Sequence, residues 1–160
     1  MAAGHGRHCA RVGWQMNTLI MTLLLWLSVN FGLPTTNELP RVEFVTNDKL
    51  VKLRYSTLGG TGAIPEAGPR QPVGLYLHTT QTIYLRDDWT GSTAAEVSIL
   101  VHELVHHLQH LGKLKFECPQ EREQIAYQAQ EKWLSLFGRD LLHEFEIDGF
   151  TLLVSSRCLH

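Results

Sequence analysis

The most regular part of the chain runs from Val97 to Leu111, where Val97, Leu100, Val101, Leu104, Val105, Leu108 and Leu111 follow one another at alternating steps of three and one before two final steps of three. At about 100° per residue these side chains form one apolar stripe on an α-helix. Thr93 and Glu96 precede the stripe in the spacing of a capping box and Gly112 follows it, so the pattern predicts a helix over Ala94 to Leu111. A second helix is predicted from Pro119, a favoured first-turn residue, to Phe137 before Gly138. Its stripe is Ile125, Ala126, Ala129, Trp133 and Leu136. Upstream the pattern changes to alternation. Arg41 to Val45, Val73 to His78 and Thr82 to Arg86 read as strands, the last two forming a hairpin through Thr79, Thr80 and Gln81. Between the first two strands, Thr46 or Asn47 caps a predicted helix that carries Leu50, Val51, Leu53 and Arg54 toward Leu58. Gly59 to Pro72 follows as a Gly- and Pro-rich loop too long for a tight turn. The tail from Asp140 to His160 is expected to form a short helix and then an extended segment that closes the core. The expected class is α+β, with a small, mainly antiparallel sheet packed on two consecutive helices.

The N-terminus has a different texture. Arg7 and Arg11 precede the apolar run Leu19 to Leu27, the order of an export signal, and the run is flanked by Asn17 and Asn30. That is short of the roughly 20 apolar residues of a membrane span. Residues 1–36 are therefore expected to be a signal peptide, or an uncleaved signal anchor, with a linker over Pro34 to Pro40. Residues 37–160 are expected to form one domain. The residues after Leu27 make a poor cleavage site, which keeps the anchor open, and Met16 is an alternative start. No lipobox cysteine follows the run. Either way the domain is expected to be exported, with membrane contact only through an uncleaved N-terminal segment. In an exported domain Cys118 and Cys158 are expected to form a disulfide. A formal net charge of -2 gives no cationic surface for nucleic acid.

Of nine histidines, two lie in His102-Glu103-Leu104-Val105-His106. One helical turn apart, His102 and His106 can reach a single Zn²⁺, and Glu103 beside them can take a proton from water activated by the metal. The helical wheel turns the pair away from the apolar stripe, whereas a satisfied core histidine would lie on it. His110 lies about 12 Å along the axis from His102, too far to share the ion. His107 faces elsewhere. Both are expected to be surface residues or partners of the ligands. A metzincin pattern would need Gly and His where the chain has Gln109 and Gly112, which excludes that branch. A third ligand could come from Glu117, Glu121 or Glu123. Glu121 faces away from the stripe of the second helix, whereas Glu123 lies on its edge in line with Tyr127, which favours Glu123.

The HELVH sequence, with Glu123-Gln124-Ile125-Ala126-Tyr127 on a following helix, resembles the gluzincin branch of the zincin metallopeptidases, over roughly residues 41 to 137. In that branch HExxH is completed by a Glu in an E-x-x-A-D or E-x-x-x-D sequence. The resemblance implies a minimal zincin-like domain, Zn²⁺ on His102, His106 and Glu123, and Glu103 as catalytic carboxylate. The implied substrate is a peptide or protein. Tyr127 stands where the family has an Asp that orients a ligand histidine, so its hydroxyl is expected to take that role or to assist an oxyanion. His143 and Arg139 are further oxyanion candidates. Family likeness also implies that Thr82 to Arg86 is the edge strand on which an extended substrate pairs. The alternative reading is a noncatalytic zinc-binding or interaction protein of the same fold, tethered to the membrane if residues 16 to 33 stay attached.

Overall fold

The computed structural model describes residues 5–57, 59 and 72–158. Its elements follow in the order α1 (His5–Phe31), β1 (Arg41–Val45), α2 (Asn47–Thr57), β2 (Gly74–Leu77), β3 (Thr82–Arg86), α3 (Ala94–Leu111), α4 (Pro119–Ser135), α5 (Leu141–Glu144) and α6 (Gly149–Ser156). Most of the loop expected over Gly59 to Pro72 lies outside the described residues.

The α+β class holds, but the expectation of a mainly antiparallel sheet needs correction. The strand order is β1-β3-β2, with β1 parallel to β3 and β2 antiparallel to it. The tight turn between β2 and β3 makes an antiparallel pair. β1 is followed by α2, and that crossover brings the chain back so that β3 runs in the same direction as β1. Side chains alternate across the sheet. Ile83 and Leu85 point to the face covered by α3, while Val45, Leu50 and Leu75 make a smaller cluster with α2 on the other face.

α3 is the central element. Thr93 and Glu96 form a complete capping box at its start, and the stripe Val97, Leu100, Val101, Leu104, Val105 and Leu108 is buried. Burial pushes the Glu96 carboxyl up, but hydrogen bonds from Thr90 and Thr93 outweigh it and bring the pKa down to about 2.

The apolar run of the N-terminus forms part of this core. Ile20, Leu23, Leu24 and Leu27 are all buried in the same cluster as the α3 stripe, and Trp26 meets Trp133 of α4 edge to face at 5.7 Å. The chain leaving α1 crosses the end of α3 so closely that a Cβ on Gly112 would lie 2.5 Å from Pro34. Among the described residues no helix is long and apolar enough to cross a membrane.

The tail also departs from expectation. Its second part is helical as α6, because the Asp148 side chain accepts from the Thr151 N–H and caps it. A short apolar run such as Phe150 to Val154 does not distinguish strand from helix by periodicity. Cys118 and Cys158 are joined, which fastens the end of α6 to the start of α4.

Candidate metal centre

α3 and α4 pack side by side, and the site lies where their polar edges meet. His102 and His106 project from α3 toward Glu123 on the second turn of α4, each with a side-chain exposure of 13%. Nε2 of His102 lies 3.2 Å from Oε2 of Glu123, and Nε2 of His106 lies 3.3 Å from the same oxygen. All three ligand atoms fall within 4.8 Å of one another. Glu121, the rejected alternative, bonds instead to the backbone N–H of Glu117 at 2.6 Å.

Two buried glutamines that the sequence reading did not single out fix both imidazoles. Gln130 donates its amide N–H to Ser98 Oγ at 3.2 Å, and that orientation turns Oε1 toward Nδ1 of His102 at 3.1 Å. Gln109 donates to the backbone oxygen of Arg122 at 2.9 Å, which turns its Oε1 toward Nδ1 of His106 at 3.0 Å. Each Nδ1 therefore donates to a glutamine oxygen, which turns Nε2 toward Glu123, where it bonds the carboxylate through a proton that it would give up to take a metal. The Glu123 carboxylate and the His106 imidazole also favour each other's charged forms. Burial pushes the Glu123 carboxyl up, but hydrogen bonds from His102 and His106 hold it well below the usual carboxylate range. Burial pushes His106 down, but Glu123 and then Glu103 bring it above the ordinary imidazole value.

The three atoms could hold a metal ion. Two imidazole nitrogens and one carboxylate oxygen are ligands that suit borderline divalent cations, Zn²⁺ among them. Residues 13–160 match the family described as Domain of unknown function (DUF6647). The chain belongs to this family. No curated protein and no solved structure matches it.

In this DUF6647 chain Glu103 lies beside the cluster, on the β2 side. The residue is 7% exposed, and among the described residues no group donates a hydrogen bond to its carboxylate. It crosses the strand at Gly74, where an added Cβ would meet Ile99 Cγ2 at 2.8 Å and Glu103 Oε1 at 3.0 Å. Glycine leaves room for that approach. Two adjoining clefts, of about 390 and 570 Å³, share Arg54, His102, Glu103 and Glu123 as lining.

Other expectations change. Tyr127 packs the edge of its ring against His102, with centroids 4.8 Å apart, but Nδ1 of His102 faces Gln130, so Gln130 has the orienting role expected of the phenol. His143 and Arg139 line neither cleft, and Arg139 pairs with Glu144 at 2.6 Å. The strand Thr82 to Arg86 is paired on both sides, so the edge beside the site is β2, which contributes Gly74 to one cleft and Leu75, Tyr76 and Leu77 to the other. His107 is not a surface residue. It is completely buried, bonded through Nε2 to the backbone oxygen of Glu38 at 2.8 Å and through Nδ1 to the Tyr76 hydroxyl at 3.1 Å. His110 is exposed, stacked near His78 at the rim.

Proposed function

We propose that this protein is an exported zinc-dependent hydrolase of zincin type that cleaves peptide bonds. The observation that carries the reading is the Glu103 carboxylate. It is nearly buried, has no hydrogen-bond donor of its own among the described residues, and stands beside three ligand atoms that converge on one point. A carboxylate that faces open clefts beside the cluster and is not engaged by the protein is available to accept a proton, as a general base must be.

His102, His106 and Glu123 would hold the metal. Zn²⁺ there would supply a Lewis acid that polarises a carbonyl and acidifies water. Glu103 takes the proton from the attacking water at its carboxylate and returns it to the nitrogen of the departing amine. Gln130 and Gln109 keep the two imidazoles in register throughout. The edge of β2, unpaired among the described residues, offers backbone groups to an extended peptide, which would lie across both clefts. The Cys118–Cys158 bond supports an oxidising compartment, and hence export.

The test is hydrolysis of a mixed peptide library by the purified protein, zinc-loaded and after chelation, with metal content measured on the same samples. One equivalent of zinc and zinc-dependent cleavage are expected. Stoichiometric zinc with no cleavage of any peptide would return the protein to the noncatalytic alternative.

A further inference from the structure

The two clefts that meet at the ligand cluster differ in charge. Among the described residues, and beyond those the clefts share, the one at the C-terminal end of β2 is bordered by Arg122, His78 and His110 and by no further carboxylate. The other has Glu146 and, among the described residues, no further cation. Arg54, on the last turn of α2, borders both, and among the described residues no carboxylate forms an ion pair with it. Arg122 is half exposed. Its Nε lies 3.3 Å from Oε1 of Glu123, an arrangement that engages Nε and leaves the terminal guanidinium nitrogens for a second acceptor. Glu123 is already engaged by His102, His106 and Arg122, so it does little to neutralise Arg54.

We propose that Arg54 and Arg122 select a substrate bearing an Asp or Glu side chain on the side of the scissile bond that occupies the β2 C-terminal cleft. The inference rests on the peptidase reading above and names its substrate class. Guanidinium groups match carboxylates in shape and charge, and two of them border this cleft. Leu75, Leu114 and Phe116 in the same cleft provide an apolar wall for the methylene groups of a Glu side chain.

The experiment uses peptide pairs that differ only in Glu against Gln at each position along the chain. Binding is read by fluorescence anisotropy on zinc-loaded Glu103→Gln protein, and cleavage on zinc-loaded wild type. One position should show about 10-fold tighter binding for Glu. Arg54→Gln should bring the ratio close to one, and Arg54→Lys should keep part of it. Arg122→Gln should also lower it, with zinc content checked because Arg122 touches a ligand. Equal binding of every pair, or a Glu preference that survives in Arg54→Gln, overturns the proposal. Cleavage without any Glu preference does so too, and leaves the peptidase reading standing. Glu-selective binding that needs Arg54, in a wild type that cleaves nothing, upholds the charge-selective cleft and removes the peptidase reading instead.

Discussion

His106 and His107 are neighbours on one helix and have opposite fates. His107 is sealed in the core with both ring nitrogens satisfied by the protein, one by Tyr76 and one by the Glu38 backbone. Burial lowers its pKa, as expected for an imidazole kept neutral by its surroundings. His106 has Gln109 at Nδ1, and its Nε2 faces the Glu123 carboxylate. What separates a structural histidine from a candidate ligand is thus the second nitrogen, and whether the fold provides a hydrogen-bond partner for it or points it at a carboxylate.

The sharpest way to break this comparison is to remove each ring in turn. His106→Ala should lower zinc affinity by several orders of magnitude, measured by competition with a chelator, because one of three protein ligands is gone. His107→Ala should leave that affinity within a few-fold. It should instead destabilise the fold by about 3 kcal/mol in denaturant titration, since it opens a cavity and strands Tyr76 and the Glu38 carbonyl. Comparable metal loss in both variants would end the distinction.

Next in size, Glu103→Gln should keep its zinc while peptide turnover falls by about 10²- to 10⁴-fold, because the carboxylate acts on protons rather than on the metal. Loss of zinc in this variant would make Glu103 a ligand. Smaller again is the effect of the glutamines. Gln130→Ala should weaken zinc binding by about 10- to 100-fold through the freed His102 ring. An unchanged affinity would show that the ring needs no such support. The smallest change is expected of Tyr127→Phe, less than about 3-fold in zinc affinity, since both ring nitrogens of His102 face other partners, Gln130 and Glu123, rather than the phenol. A loss as large as that of Gln130→Ala would return the orienting role to Tyr127.

Much of the scaffold was legible because its signals are local. The capping box at Thr93, the stripe of α3, Pro119 at the start of α4 and the limits of β1 and β3 all follow from short-range spacing, and each matches the structure. His102, His106 and Glu123 were legible for the same reason, since helix geometry alone places them. Strand order was not, because the pairing of β1 with β3 joins residues about 40 positions apart. His107 was misread although a signal existed: it lies three residues after Leu104 and seven after Leu100, on the stripe itself. The glutamines looked like ordinary polar helix residues. Only their register gives them away, Gln109 three after His106 and Gln130 seven after Glu123. The apolar run of α1 carries two messages at once. Its composition reads as an export signal, while Ile20, Leu23, Leu24 and Leu27 repeat as i, i+3, i+4 and i+7, the spacing of the face that packs into the core.

The bond between Cys118 and Cys158 closes a covalent ring that contains Glu123, Tyr127 and Gln130 but excludes His102, Glu103 and His106. Half of the centre therefore belongs to a loop that stays tied even when its backbone is cut. A protease that clips the exposed Asp140 or Asp148 would sever the chain without releasing α6, which would remain attached through sulfur with Ser155 still against Tyr127. In surroundings rich in proteases the ring is a form of damage tolerance, because a nicked molecule would lose its continuity before it lost its centre.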